Sequence, residues 1–103
     1  MPTYAMYADW RLDAEAGDEA VTTGTNAMTI EDPEACVWRD EKDSRVIRFS
    51  LNVDATDFDD AGEQMKRCLR QLRLLGLPGR IVGMEGTTDT HMAKWESEDL
   101  DER

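Results

Sequence analysis

Residues that carry chemistry unaided are scarce in this chain. Its 103 residues include one histidine, two cysteines and three prolines. A lone histidine, His91, cannot complete a Cys/His zinc site with two cysteines that lack ligand spacing. Cys36 and Cys68 are too few for a disulfide framework and read as two buried reduced thiols, since free cysteine packs as a small hydrophobe. No apolar run approaches the roughly 20 residues that span a bilayer. The chain turns polar by Asp9, which excludes the apolar core of a secretory signal. The expected location is therefore the cytoplasm. Basic residues are also few, 12 against 23 acidic ones, for a net charge of −11. That balance opposes binding to nucleic acid or an anionic membrane, both polyanions, and tolerates basic protein partners. Nine of the basic residues are arginine and isoleucine occurs three times, a usage typical of high-GC coding or a salt-adapted host. The acidity thus has a genomic explanation beside a functional one.

What the chain does contain is periodicity. In Arg45–Asp54 the apolar residues Ile47, Phe49, Leu51 and Val53 alternate, the signature of a half-buried strand. From Asp57 to Gly76 the spacing becomes helical, with Phe58, Ala61, Met65, Cys68, Leu69, Leu72 and Leu75 on one side. Thr56 or Asp57 can cap this helix. Acids crowd its start and Lys66, Arg67, Arg70 and Arg73 its later turns, complementing the dipole. Gly76 suits the position after the C-cap, and Pro78 blocks continuation. Arg80–Thr88 returns to strand-like residues, and Thr3–Leu12 alternates as a first strand. Asp13–Asn26 is small, polar and broken by Gly17 and Gly24, so it reads mainly as a loop with room for one helical turn. Ala27–Ile30 reads as a strand start interrupted by Pro33. Ala35–Asp40 is strand-like and pairs with Arg45–Asp54 across the Glu41–Ser44 turn. Thr90–Trp95 is expected as a short terminal helix. Residues 1–95 then form one α+β domain and 96–103 an acidic, frayed tail.

No motif specifies a reaction. Asp57-Phe58-Asp59-Asp60-Ala61-Gly62 starts like a calcium loop, but the fifth residue is Ala61 and the twelfth Cys68, where oxygen ligands are needed. His91 with Asp89 as orienter is the one general-base arrangement available, against the simpler reading of a surface histidine. Gly-x-Ser-x-Gly and phosphate-binding glycine loops are absent, and Gly83 and Gly86 in a strand mark a bulge or close packing. Lys66, Arg70 and Arg73 form a basic ridge that is either a solvated face held by pairs such as Glu63–Arg67 or an anchor for an acidic segment, such as the 96–102 tail of this or a neighbouring chain. The first strand carries aromatics on both sides, Tyr4 and Trp10 opposite Tyr7. With Trp38, these make a helix-free sheet face a candidate dimer surface or ligand floor, unless the Asp13–Pro33 excursion or the C-terminal segment covers it.

The tyrosine-containing first strand, the Asp54-Ala-Thr-Asp57 turn into Ala61–Leu75, and the Ile81-Val-Gly-Met-Glu85 strand followed by Thr87-Thr-Asp-Thr90 resemble small α/β-plait (ferredoxin-like) proteins of high-GC bacteria and their phages. The resemblance covers about two-thirds of the chain and implies a plait or a reduced version of it. The expected fold is α+β, a mainly antiparallel four-stranded sheet with one long helix, about 57–76, across one face. The expected function is a non-enzymatic protein-interaction domain without cofactor, homodimeric or bound to a basic partner. A narrower form is an acidic inhibitor, phage-derived, of a host protein. The interaction residues would come from Tyr4, Tyr7, Trp10, Trp38, Lys66, Arg70 and Arg73. The alternative is a small-molecule-binding or enzymatic dimeric α+β barrel. It would need a cavity with convergent groups among Tyr4, Tyr7, Trp10, Trp38 and His91.

Overall fold

A computed structural model describes residues 2–96. In chain order the elements are β1 (Thr3–Leu12), α1 (Asp18–Glu31), β2 (Cys36–Arg39), β3 (Val46–Asp54), α2 (Phe58–Leu74), β4 (Gly79–Thr87) and β5 (Met92–Trp95). The strands form one antiparallel sheet in the order β2-β3-β1-β4-β5. The first six elements follow the β-α-β-β-α-β sequence of split-βαβ folds, so the α+β architecture is consistent with a ferredoxin-like type.

Two differences from the sequence expectation stand out. The sheet has five strands, not four: Met92–Trp95 pairs with Thr87–Met84 as an edge strand instead of forming a helix. There are also two helices among the described residues, since the loop expected at 13–26 and the strand start at 27–30 fold together as α1. The physical reason is that α1 buries small residues. Ala20, Gly24 and Met28 face the sheet, giving no wide apolar stripe to read. At Gly24 an added Cβ would lie 3.1 Å from the Phe49 ring and 3.3 Å from Val37 Cγ1, so the missing side chain is what lets the helix approach. Thr25 and Thr29 return their hydroxyls to the Val21 and Thr25 carbonyls, which absorbs their polarity inside the helix.

The helix α2 begins and ends as its sequence dictates. Asp57 Oδ1 accepts from the Asp60 amide at 2.8 Å, and Asp60 Oδ2 accepts in return from the Thr56 amide at 3.0 Å. At the other end the Leu77 amide reaches the Leu72 carbonyl at 3.0 Å while Gly76 takes φ +86°, a left-handed closure that suits glycine. Ala61, Met65, Leu69 and Leu72 are buried against the sheet, but Leu75 is half exposed because it is the C-cap. The helix crosses β1 and β4 more than β3, and α1 covers the β2–β3 side. Together they seal one face over Met6, Trp10, Ile47, Phe49 and Leu51.

Asp60 supplies a pH prediction. Hydrogen bonds, the largest from the Thr56 amide, hold its carboxyl below the ordinary aspartate value. A lowered folded value means this contribution is present above the ordinary aspartate value and is lost as pH falls through the lowered one. Asp60→Asn should therefore melt slightly below the native chain near neutrality and converge with it below about pH 4, so that the acid limb of a thermal-melt series is flatter.

Candidate functional site

The face of the sheet away from the helices has no covering layer among the described residues. Strand alternation sends Thr3, Ala5, Tyr7, Asp9 and Arg11 of β1 to that face. The register then sets their neighbours. One row runs Trp38, Arg48, Asp9, Gly83; the next runs Cys36, Ser50, Tyr7, Glu85, Lys94. Met92 stands opposite Thr87 at the β5 edge. Tyr7, Trp38 and Met92 are exposed large apolar side chains, at 38%, 41% and 68%.

Charge on this face differs from charge on the rest of the molecule. Among the described strand residues it holds Arg11, Arg48, Arg80 and Lys94 against Asp9, Asp54 and Glu85, one net positive charge in a chain of −11. Arg48 is fixed by Asp9 at 2.9 Å and reaches Asp40 at 3.9 Å, and Thr3 donates to Asp54 at 2.7 Å. Tyr7, Asp9, Arg48, Gly83, Glu85 and Lys94 line a shallow open depression of about 190 Å³. That is below the roughly 300–1,000 Å³ usual for small-ligand pockets.

The sequence-nominated residues divide between layers. Tyr7 and Trp38 share the open face. Tyr4 and Trp10 belong to the core, with Tyr4 edge-on to Phe58 at 4.9 Å and Trp10 fully buried. The Trp10 Nε1–H donates to the Leu77 carbonyl at 3.1 Å, and Arg73 lies 5.2 Å over the indole. Arg73 also donates to the Gly79 carbonyl, so it is drawn out of the expected ridge. Lys66 is half-buried and pairs with Glu63 at 3.3 Å, the pairing expected of Arg67, while Arg70 stays exposed. The ridge is therefore three differently engaged side chains. His91 sits in the β4–β5 turn with Nδ1 2.8 Å from Thr90 Oγ1, its neighbour being Thr90 and not Asp89. The Tyr4, Tyr7, Trp10, Trp38 and His91 set is not gathered around one cavity. The acidic stretch 97–103 lies outside the described residues.

Cys36 corrects the expectation of two buried thiols. It is exposed, because β2 is an edge strand and Cys36 shares the open face with Ser50. Cys68 is half-buried on α2, and desolvation pushes its thiol above the ordinary cysteine value. Iodoacetamide followed by peptide mass mapping should label Cys36 first, with Cys68 modified well behind it in the native state.

Sequence reasoning missed most of the open face, because its members alternate with core residues and come from five strands. The signal available was the Tyr7, Asp9, Arg11 side of β1, polar and aromatic at period two. No helix among the described residues is long and apolar enough to cross a membrane. Comparison with protein-family models, with curated proteins and with solved structures finds no match to this chain.

Proposed function

We propose that this protein is a non-enzymatic interaction domain that pairs with a second copy of itself through the helix-free face of the sheet. The observation that carries this is the coincidence of exposed aromatics with local charge balance. Tyr7 and Trp38 are the residue types that dominate interface energetics, and Arg48 lies between them on the neighbouring strand. Two copies of a chain at −11 repel least where local charges balance, and the acids and bases of this face nearly do. In plan it covers roughly 550 Å² from strand spacing and rise, enough for one side of a modest dimer. The face is favoured over the edges because the edge strands β2 and β5 have four residues each and offer few free backbone groups. It is favoured over a small-molecule barrel site because the depression on it is shallow.

Sedimentation velocity over a concentration series tests this. The native chain should form a dimer, and Tyr7→Asp with Trp38→Asp should raise the dissociation constant by about 30-fold per site, as for loss of a contact worth roughly 2 kcal/mol. A species that stays monomeric at every concentration, with the variants indistinguishable from it, would remove the proposal.

A second reading, a basic protein partner including the host-inhibitor version, is favoured by one separate observation. Glu31 and Asp32 at the end of α1 and Asp54 at the end of β3 line one depression with Gln64 and Cys68 of α2, and Gln64 donates to Asp60 there at 3.3 Å. Binding there would weaken steeply with salt and be insensitive to Tyr7→Asp.

A further inference from the structure

At the far end of the sheet from that acidic corner, three arginines from three separate segments converge. Arg11 is near the end of β1, Arg80 is at the start of β4, and Arg45 closes the turn before β3; all three line one open depression with Leu12, Asp13 and Gly79. The backbone fixes the grouping. The Leu12 amide donates to the Arg45 carbonyl at 2.8 Å, and the Asp13 amide donates to the Pro78 carbonyl at 3.2 Å. Gly79 lies against Arg11 so closely that an added Cβ would overlap the Arg11 carbonyl oxygen. The register then sets Arg11 directly opposite Arg80.

Like charges facing each other across two strands are unfavourable, and this chain has 23 carboxylates with which to separate them. It does not do so here. Asp43 approaches Arg11 at 3.8 Å, and Asp13 stands on the rim. Among the described residues, neither Arg45 nor Arg80 is in an ion pair. Counting both carboxylates, the cluster keeps one net positive charge on a strongly acidic protein.

We infer that Arg11, Arg45 and Arg80 form a binding site for a small, multiply charged oxyanion, of the class of phosphate esters and polycarboxylates. Guanidinium groups present paired N–H donors that match the oxygens of such anions, and three of them surround one depression. The rest of the surface selects for size: an extended polyanion would lie against the chain's excess of carboxylates, whereas a small ligand contacts the arginines alone. Arg11 and Arg80 share the helix-free face with Tyr7 and Trp38 but lie at its end beyond Asp9 and Arg48, so titrating the Tyr7→Asp variant as well separates anion binding from dimerisation.

The test is titration of the full chain with inorganic pyrophosphate, and separately with citrate, at low ionic strength, followed through backbone amide NMR shifts. The expected result is saturable movement of the Leu12, Asp13, Gly79 and Arg80 amides with either probe. The tighter of the two assigns the site to phosphate or to carboxylate ligands. Arg45→Gln and Arg80→Gln should each weaken binding by roughly tenfold, the scale of a lost charge-assisted hydrogen bond. Without ligand, Arg80→Gln should melt at the same temperature or slightly above the native chain, since it relieves the facing pair. Arg67→Gln, on the exposed side of α2, should leave the titration unchanged. Shifts spread evenly over surface amides, no saturation with either probe, or unaltered affinity in Arg45→Gln and Arg80→Gln would overturn the assignment.

Discussion

Trp10→Ala should destabilise the protein by about 3–5 kcal/mol, the range for removing a large aromatic from a core. A domain of this size has roughly 5–15 kcal/mol in total. The substitution therefore leaves it marginal or unfolded at 37 °C. Three separate losses meet at this residue. The indole is fully buried between the sheet and α2, its N–H holds the Leu77 carbonyl just past the helix end, and its face receives Arg73. Trp10→Phe keeps most of the volume but leaves the Leu77 carbonyl without that donor, so it should cost about 1–3 kcal/mol, as for an unsatisfied buried acceptor. Chemical denaturation of the three proteins by far-UV circular dichroism gives the order directly. Equal midpoints for native and Trp10→Phe would show that the hydrogen bond contributes nothing.

Gly79→Ala should be nearly as damaging, for a steric reason. The added methyl group would overlap the Arg11 carbonyl oxygen and lie 2.8 Å from Trp10 Nε1. A flexible side chain could turn aside, but a carbonyl already held in the β1–β4 pairing cannot. The cost should reach the upper part of the roughly 1–3 kcal/mol typical of overpacking, with β4 displaced at its start. Because the same methyl touches Trp10, the two substitutions should not add: the double variant Trp10→Ala, Gly79→Ala should lose less than the sum of the singles. Additive costs would mean that the Arg11 carbonyl alone sets the penalty.

Gly24→Ala provides a contrast between neighbouring effects. Alanine favours a helix interior by about 1 kcal/mol over glycine, while its Cβ would press on the Phe49 ring at 3.1 Å. The aromatic ring can shift by a few tenths of an ångström, so the net change should be small, whereas Gly24→Leu should separate α1 from β3 and melt at a clearly lower temperature.

Much of the framework was legible in residue order. Alternation in Thr3–Leu12 and Ile47–Val53, and the helical stripe from Phe58 to Leu72, report periodic burial that depends only on local geometry. The capping residue Asp57 and the stop at Gly76 and Pro78 were legible for the same reason, because a cap is satisfied within a few residues. α1 was not legible, since its inward face is Ala20, Gly24 and Met28 and the cavity it fills is made by Phe49 and Val37, distant in sequence. β5 was not legible either. Four residues carry too little period to separate strand from helix, and their state is set by pairing with β4.

The sequence by itself determined the acidic balance, the α+β class and the one strongly amphipathic helix, all properties summed over neighbours along the chain. Only the tertiary structure decided that Tyr7, Arg48 and Trp38 share an open face, that Tyr4 and Trp10 do not, and that Arg11, Arg45 and Arg80 meet at one end of the sheet. Register is the physical reason: shifting a strand by one residue exchanges its two faces, and register is fixed by the packing of the whole sheet against its helices.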